Sequence, residues 1–165
     1  MIRKAKKEDA ARMVYINVTS WKKTYKDIFP SSFLDSLNPY DEAIIEKYSK
    51  KIDEYIVYEE KGQVLGFARY GINKKGYSND YAEIYALYVD NEYHGKRIGT
   101  KLVNDIIKRL KNKYKYLLIS TIKENSANEF YQKIGGKKIG NCYFNLENKE
   151  YEENIYQFDI IKNEQ

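Results

Sequence analysis

The sequence predicts one mixed α/β domain over residues 1–165, and three observations support that prediction. First, 42% of the residues are hydrophobic and they are spread along the chain, so that a single core can be buried. Second, strand-like and helix-like segments follow in the order strand, helices, hairpin, strand, helix, strand, helix, hairpin. Third, the central strand–helix–strand segment predicts a right-handed crossover between parallel strands.

The first third of the chain predicts one strand and then helices. Residues 2–5 alternate apolar and charged side chains, as a short strand does. Residues 8–21 carry apolar side chains at three- and four-residue spacing, which is typical of an amphipathic helix, although two lysines stand where a capping Ser, Thr or Asp is expected. Two short helices are expected within residues 22–38, and another over residues 41–50.

The middle of the chain predicts a β-hairpin followed by a buried strand. The β-rich residues 55–58 and 63–70 flank a turn at residues 59–62. A polar loop follows at residues 71–80. Residues 82–89 read AEIYALYV and carry apolar side chains on both faces, which is typical of a strand covered on both sides.

The last part of the chain predicts the crossover and a second hairpin. A turn at residues 90–97 leads into the clearest helix, residues 98–112, and a strand follows at residues 116–122. We expect two final strands, over residues 138–146 and 154–160, with a polar turn between them.

A shorter helix precedes that hairpin, over residues 126–134. Ser126 has a glutamate three residues later, which is the spacing of a capping box. The pair Gly135-Gly136 supplies the C-terminal end of the helix.

Composition narrows the class of protein. No apolar run reaches the ~18–20 residues of a membrane-spanning helix, and the charged N-terminus leads into no apolar signal core, so we expect a cytoplasmic protein with no membrane partner. The single Cys142 allows no internal disulfide and fits a reducing compartment. A net charge of +5 favours a polyanionic ligand or nucleic acid, but an A/T-rich genome would also favour Lys, Ile, Tyr and Asn.

The most informative segment is LYVDNEYHGKRIGTKL, residues 87–102. A buried strand ends at Val89, a short loop with two glycines follows, and an amphipathic helix begins at once. The unpaired N–H groups of a helix N-terminus attract anions, and glycines let a polyanion approach the backbone. Lys96, Arg97 and Lys101 add three cations within one turn. The pattern predicts a phosphate or pyrophosphate site, and a simple tight turn that needs glycine for its dihedrals is the alternative.

The run His94-Gly95-Lys96-Arg97-Ile98-Gly99 resembles the acetyl-CoA pyrophosphate loop of the GNAT N-acetyltransferase superfamily, whose usual form is Arg/Gln-Gly-x-Gly-x-Gly/Ala. His94 and Arg97 depart from that form. Arg97 either crowds the pyrophosphate or, as we expect, adds a charge contact at its rim. The strand-end and loop residues that the resemblance implies as cofactor-binding are Leu87, Tyr88, Val89, His94, Gly95, Lys96, Arg97, Ile98, Gly99 and Thr100.

The resemblance also implies a fold and a co-substrate. The fold is a GNAT-like domain with a central mixed, mostly antiparallel sheet of about seven strands, a parallel pair at the cofactor cleft, and flanking helices. The co-substrate is acetyl-CoA.

A second segment, NSANEFYQKIGG at residues 125–136, resembles the family's Asn…Phe-Tyr-x-Lys-x-Gly segment. It implies that Asn125 contacts the pantetheine arm of CoA and that Tyr131 stands beside the CoA sulfur as general acid. Asn128 lies one helical turn past Asn125 and is expected to reach the same ligand. An Asn cap followed by a Phe-Tyr core stripe is the alternative.

Acetyl transfer to an amine needs a neutral amine, a polarised carbonyl and a protonated sulfur. Neutralising an amine of pKa ~10.4 at pH 7 costs about 4–5 kcal/mol, and a carboxylate reached directly or through a chain of water molecules can take that proton. The resemblance implies Glu83 for this role, since Glu83 opens the strand that the family places beside the thioester, and a solvated strand-end glutamate is the alternative. It also implies that strand N–H groups of Leu87, Tyr88 and Val89 polarise the carbonyl.

The acceptor is defined less sharply. Residues 21–37 resemble the Trp…Thr-Tyr…Ile-x-Pro segment of small bacterial GNAT enzymes, including polyamine-type acetyltransferases, in which helices wall the acceptor cleft. Trp21, Tyr25 and Tyr85 are candidates to face a cationic amine, and core aromatics on amphipathic elements are the alternative. We expect a small-molecule primary amine as acceptor. A protein N-terminus or lysine is the alternative, and a homodimer is left open.

Other classes of function fit the sequence less well. A nucleic-acid module would draw on the net charge and the Lys–Tyr alternation at residues 111–116, but no recognised nucleic-acid motif is present, so we expect no such partner. A non-catalytic acyl-CoA-binding regulatory domain stays an alternative because Arg97 breaks the loop pattern. One His, one Cys and scattered carboxylates give no zinc-like spacing, so no metal is expected.

Overall fold

The computed structural model describes residues 1–160, and within them lie seven β-strands and five α-helices. The strands are β1 (Ile2–Lys4), β2 (Tyr55–Glu60), β3 (Gln63–Ile72), β4 (Tyr81–Val89), β5 (Tyr116–Ile122), β6 (Lys137–Leu146) and β7 (Lys149–Asp159). The helices are α1 (Ala10–Thr24), α2 (Ser31–Ser36), α3 (Glu42–Lys50), α4 (Ile98–Leu110) and α5 (Ala127–Lys133). None of the helices in this part of the chain has the length and apolar character that crossing a membrane requires.

The strands form a sheet in the order β1-β2-β3-β4-β5-β7-β6. β4 and β5 are parallel over Tyr81–Ile84 and Tyr116–Ile119, and α4 connects them along the chain, as the crossover predicts. The pairs β1–β2, β2–β3, β5–β7 and β6–β7 are antiparallel. The predicted mixed α/β fold, with about seven strands and a parallel pair, is therefore confirmed.

The described chain packs as two compact units. The N-terminal unit comprises Met1–Tyr70 and Ala86–Asp105. The C-terminal unit comprises Gly71–Tyr85 and the described residues from Ile106 onward.

The core of the N-terminal unit lies between α1 and the β2–β3 hairpin. Met13 and Ile16 of α1 pack with Tyr55, Val57 and Phe67 of the hairpin, and all five side chains are buried. Burial of one large apolar side chain contributes about 1.5–3 kcal/mol, so this layer fixes the position of α1. The three- and four-residue spacing of apolar residues in α1 predicts this contact.

The turn that leads into α1 is held by the carboxylate of Asp9, a residue that the sequence pattern predicts to lie inside the helix. Asp9 Oδ2 accepts the backbone N–H of Lys6 at 2.8 Å. The Asp9 carboxylate also accepts two hydrogen bonds from Arg3, at 2.8 and 3.1 Å. Asp9 therefore caps the single 3-10 turn at Lys7–Asp9 that precedes α1, while α1 itself begins without a side-chain cap hydrogen bond.

The segment after α1 differs from its prediction. α1 continues to Thr24, where the N–H of Tyr25 donates to the carbonyl of Trp21 at 2.9 Å. Residues 22–38 consequently contain the end of α1 and one short helix, α2, instead of two short helices. Pro30 stands directly before α2, where a missing N–H costs no helical hydrogen bond.

The hairpin of the C-terminal unit also differs from its prediction. Glu147 and Asn148 form the turn with φ of 50° and 63°, and β7 begins at Lys149, five residues before the predicted start. Residues 149–153 are polar, and Tyr151 is their one buried member. A strand with so few apolar side chains gives no hydrophobic alternation, so periodicity did not find it.

Candidate functional site

The loop between β4 and α4 is open and bends through two left-handed residues. Gly95 has φ of 84° and Arg97 has φ of 62°, and a Cβ at Gly95 would meet no atom within 4 Å. The N–H of Lys101 donates to the Arg97 carbonyl at 3.0 Å, which closes the first turn of α4. Arg97 thus takes a conformation that favours glycine, at the position where the usual loop form has one.

A partly buried ion pair anchors the start of this loop. Asp90 follows β4, is 7% exposed, and forms an ion pair with Arg12 of α1. The N–H of Asp90 donates to the Leu65 carbonyl at 2.8 Å, and Arg12 Nε donates to the Val64 carbonyl at 2.9 Å. The sequence analysis does not predict this ion pair. The signal in the sequence is Arg12, a charged residue next to the apolar stripe of α1.

A glycine in β3 lets α4 approach the sheet. A Cβ at Gly66 would lie 3.0 Å from Ile98 Cγ2, 3.1 Å from the Tyr88 carbonyl oxygen and 3.5 Å from Leu102 Cδ1. Ile98 and Leu102 are buried in the first turns of α4. Gly66 therefore permits the close approach of the first turns of α4 to β3, which the sequence does not indicate because Gly66 belongs to no loop motif.

The loop and the first turns of α4 carry exposed cations. Lys96 Nζ lies 5.1 Å from the ring centroid of Tyr93, and Lys101 Nζ lies 5.5 Å from that of Tyr58. Within residues 1–160 no carboxylate pairs with Lys96, Arg97 or Lys101. Together with the N–H groups at the start of α4, these cations make the loop attractive to a polyanion.

The other predicted loop residues differ in how far they are exposed to solvent. His94 is exposed and its Nε2 lies 3.1 Å from the Val89 carbonyl oxygen. Ile98 is buried beneath the helix start, whereas Gly99 and Thr100 are half-buried in the first turn of α4. Gly99 and Thr100 stand where backbone N–H groups lack helical partners.

Part of β4 extends past the parallel pairing with β5. The register partners in that pair end at Ile84 and Ile119, while β4 continues to Val89. Leu87, Tyr88 and Val89 are half-buried. The Tyr88 hydroxyl accepts a hydrogen bond from Trp21 Nε1 at 2.8 Å, which ties this end of β4 to α1.

Aromatic rings line the end of α1 and the segment after it. The ring centroids of Trp21 and Tyr25 are 5.1 Å apart, those of Tyr25 and Phe29 are 4.4 Å apart, and those of Phe29 and Phe33 are 6.3 Å apart. Trp21 and Tyr25 are half-buried, so both pack within this row and keep part of their surface exposed. The structure brings these two predicted residues together, as their four-residue spacing on a helix requires.

Tyr131 lies at the C-terminal end of α5, where two glycines fix its backbone. The Gly136 N–H donates to the Tyr131 carbonyl at 2.8 Å, and Gly135 has φ of 104°. These contacts form the Schellman motif that the glycine pair predicts. The Tyr131 side chain is buried, 6% exposed, and its ring centroid lies 5.8 Å from that of Tyr156.

Asn125 supplies the cap at the start of α5. Its Oδ1 accepts the backbone N–H of Ala127 at 2.8 Å, whereas Ser126 makes no side-chain cap hydrogen bond. The predicted capping box at Ser126 is therefore wrong. Ser126 has helical backbone angles, and its hydroxyl makes no cap hydrogen bond. Asn125, one residue earlier, reaches an N–H group that has no partner within the helix.

The amide of Asn128 is used fully within the C-terminal unit. Its Nδ2 donates to the carbonyls of Ile122 and Asn125 at 3.0 and 2.7 Å. Its Oδ1 accepts from Asn154 Nδ2 at 2.9 Å and from the Tyr156 hydroxyl at 2.7 Å. This network gives Asn128 a structural role, and its expected cofactor contact stays a prediction.

Glu83 and Tyr85 lie two residues apart on β4, and each contacts a lysine of the loop at residues 71–80. Glu83 is 6% exposed and pairs with Lys75 Nζ at 2.9 Å. The Tyr85 ring has Lys74 Nζ 4.3 Å from its centroid, and the Tyr85 hydroxyl donates to the Ile72 carbonyl. The carboxylate and the ring thus both contact cations, and no motif in the sequence indicates which lysines do so.

Cys142 is half-buried in β6. Its Sγ lies 3.7 Å from Ser120 Oγ and 3.6 Å from Glu153 Oε1, and burial raises the pKa of its thiol. Among residues 1–160 no group of three or more His, Cys, Asp or Glu side chains is arranged to hold a metal ion.

Comparison with known proteins links this geometry to one family. Residues 2–136 match the acetyltransferase (GNAT) family. The chain is 28% identical over 147 residues to the N-acetyltransferase YuaI of Bacillus subtilis (strain 168), and the match covers 88% of this chain and 84% of that protein.

Solved structures share the fold. The PaiA N-acetyltransferase of Thermoplasma acidophilum, in complex with coenzyme A, superposes with a TM-score of 0.75 at 23% identity, covering 96% of this chain and 98% of that chain. YncA of Salmonella typhimurium, with its cofactor acetyl-CoA, superposes with a TM-score of 0.69 at 17% identity, covering 100% of this chain and 96% of that chain.

Proposed function

Because this chain belongs to the GNAT acetyltransferase family and is an N-acetyltransferase, we propose that it transfers an acetyl group from acetyl-CoA to the primary amine of a small molecule. The observation that carries the proposal is the open, cationic loop at the N-terminus of α4, with left-handed Gly95 and Arg97. The PaiA and YncA structures, which hold coenzyme A and acetyl-CoA, support the choice of co-substrate.

The loop fits a diphosphate on three counts. No atom lies near the position that a Cβ of Gly95 would take, so a bulky anion can approach the backbone there. The first N–H groups of α4 lack intrahelical acceptors, and Lys96 and Arg97 are exposed beside them. Acetyl-CoA would supply the thioester, and in this proposal the loop holds its diphosphate.

The acid–base roles fall to Glu83 and Tyr131. Glu83 takes the proton that the acceptor ammonium must lose before its nitrogen bonds to the acetyl carbon. Tyr131 gives its hydroxyl proton to the sulfur as the carbon–sulfur bond breaks. Backbone N–H groups of Leu87, Tyr88 and Val89 stabilise the negative charge that develops on the carbonyl oxygen.

A small cationic amine suits the side chains assigned to the acceptor. Glu83 and Tyr85 already hold ammonium groups in this structure, and Trp21 and Tyr25 keep part of their rings exposed. Carboxylates and aromatic faces are the groups that attract alkylammonium ions.

A thermal-unfolding assay combined with thiol release tests the proposal. We expect acetyl-CoA to raise Tm, and a panel of primary amines to reveal one that releases CoA thiol. Gly99→Glu places bulk and a negative charge in the first turn of α4 and should abolish the rise in Tm. Asn104→Glu adds the same charge on the exposed face of that helix and should keep it. An acetyl-CoA response retained by Gly99→Glu, or no thiol release with any amine, would contradict the proposal.

A further inference from the structure

Both oxygens of the Glu83 carboxylate are occupied by the loop at residues 71–80. Oε1 accepts the backbone N–H of Lys74 at 2.8 Å, and Oε2 pairs with Lys75 Nζ at 2.9 Å. The Glu83 side chain is buried, whereas the Lys75 side chain keeps 18% of its surface exposed. Another amine would therefore compete with Lys75 Nζ for this buried carboxylate.

Tyr85 is held in a parallel way. Alternation along β4 places Tyr85 on the same face of the strand as Glu83. Lys74 Nζ lies 4.3 Å from the Tyr85 ring centroid, which is within the range of a cation–π contact. Two neighbouring lysines thus place one ammonium group on a carboxylate and another on an aromatic ring.

The loop does not depend on these lysine side chains for its backbone conformation. Asn73 Nδ2 donates to the carbonyls of Tyr77, Ser78 and Tyr81 at 3.0–3.2 Å. Asn73 Oδ1 accepts the backbone N–H groups of Lys75 and Tyr77 at 3.3 and 3.0 Å. The ammonium groups of Lys74 and Lys75 can therefore leave while the loop stays folded.

We propose that Glu83 and Tyr85 form a two-point site for primary alkylammonium groups, and that Lys74 and Lys75 occupy it as internal competitors that an incoming amine displaces. The proposal rests on the proposed function only in making that amine the acetyl acceptor. Exchange of one ammonium for another keeps the buried carboxylate paired, so the exchange avoids the penalty of an uncompensated buried charge. The released lysine has a flexible stem that reaches solvent easily.

The proposal is tested without acetyl-CoA by titrating the protein with n-butylammonium chloride. The amide chemical shifts in two-dimensional NMR spectra give the Kd. Lys75→Met removes the competing charge and keeps the apolar stem, so Kd should fall about fivefold, the ratio expected for release of a partly exposed ion pair. Lys75→Arg keeps a cation on Glu83 and should retain the wild-type Kd. Lys123→Met removes a lysine paired with Glu152 instead and should also retain it.

Three results would overturn the proposal: equal Kd in the wild type and Lys75→Met, weaker binding by Lys75→Met, or a fivefold gain in Lys123→Met. Adding Glu83→Gln to Lys75→Met should cancel the gain. If Lys75→Met fails to fold, titration of the wild type decides. The amides of residues 74–76 must then shift to saturation with n-butylammonium chloride and stay unshifted with sodium chloride at equal ionic strength.

The two proposals fail in different ways. Tighter n-butylammonium binding by Lys75→Met without thiol release from acetyl-CoA with any amine would contradict the proposed function and support the cation site. Normal acetyl transfer, together with the same Kd for n-butylammonium in the wild type and all variants, would support the proposed function and overturn the cation site.

Discussion

Arg97 combines a backbone cost with an electrostatic gain. Its φ of 62° costs an L-residue about 1–2 kcal/mol, which glycine would not incur. Its guanidinium adds positive charge where the loop would meet a diphosphate. The left-handed φ of Arg97 is observed and its anion contact is a prediction, and the two effects can be separated by substitution.

Arg97→Gly should raise or maintain Tm and weaken acetyl-CoA binding by about two- to fivefold, as loss of one exposed charge contact implies. Asn112→Gly is the matched control because Asn112 also has a left-handed φ, of 71°, but lies beyond the other end of α4. It should relieve similar strain without changing acetyl-CoA affinity. Calorimetric titration and thermal unfolding measure both quantities, and undiminished affinity in Arg97→Gly would count against the rim contact.

Tyr131 has two separable roles: its ring packs beside Tyr156, and its hydroxyl is the proposed general acid. Tyr131→Phe keeps the ring beside Tyr156 and removes the hydroxyl. If Tyr131 is the general acid, kcat should fall about 100-fold or more while acetyl-CoA affinity stays the same. Tyr151→Phe removes a hydroxyl from another buried tyrosine of the same unit and should leave kcat within about twofold, as substitutions away from the chemistry do. Equal kcat in Tyr131→Phe and the wild type would remove Tyr131 from the mechanism.

At the scale of elements, the sequence predicts the helices and strands that have a strong local pattern of apolar residues. β5 lies over Tyr116–Ile122 and α4 begins at Ile98, both as predicted, because their apolar periodicity is strong. The start of β7 was missed because its first residues are polar. At the start of α5 the sequence predicts a capping box at Ser126 and leaves an Asn cap as the alternative. The structure has the Asn cap, at Asn125, because the two signals stand one residue apart and no spacing rule separates them.

The position of α4 depends on the absence of a side chain in β3. Gly66→Ala would bring a Cβ within 3.0 Å of Ile98 and 3.1 Å of a backbone carbonyl, so α4 must shift or the strand must bend. We expect a loss of about 1–3 kcal/mol in the free energy of unfolding, and weaker acetyl-CoA binding. Gly140→Ala in β6 meets its nearest atom at 3.9 Å and should be nearly neutral. Urea unfolding of both variants measures the difference, and equal stability would show that α4 adapts without cost.

At the scale of the whole molecule, the sequence located the loop but not what holds it. The loop was visible because its residues are consecutive. The ion pair of Arg12 with Asp90 joins residues 78 positions apart, and the contact of Lys75 with Glu83 crosses a loop. No spacing rule predicts such pairs, because the fold alone decides which distant side chains meet. Local pattern in the sequence therefore indicates candidate chemical groups, whereas the groups that position them are seen only in the fold.

Arg3, Asp9 and Glu59 link β1, the start of α1 and β2 in one charge cluster. Burial raises the pKa of Asp9, but hydrogen bonds from Arg3 and from the Lys6 N–H outweigh it, so the pKa of Asp9 lies below its ordinary value. The hydrogen bond from Arg3 likewise lowers the pKa of Glu59. Asp9 is the buried member of the pair, so it should dominate the effect on stability.

A carboxylate with a lowered folded-state pKa stabilises the fold above its unfolded pKa, about 3.9 for Asp, and that stability is lost as pH falls through the folded-state pKa. Urea unfolding at pH 7 and pH 3 should therefore show a smaller acid-induced loss in Asp9→Asn than in the wild type. Asp9→Asn should also be less stable at pH 7, by about 1–3 kcal/mol, since the charged hydrogen bonds from Arg3 are weakened. Arg69→Met breaks the more exposed pair with Glu54, so it should change stability by less than about 1 kcal/mol and keep the wild-type pH dependence. If Asp9→Asn and the wild type lost equal stability between pH 7 and pH 3, other carboxylates would control acid unfolding and Asp9 would have no part in it.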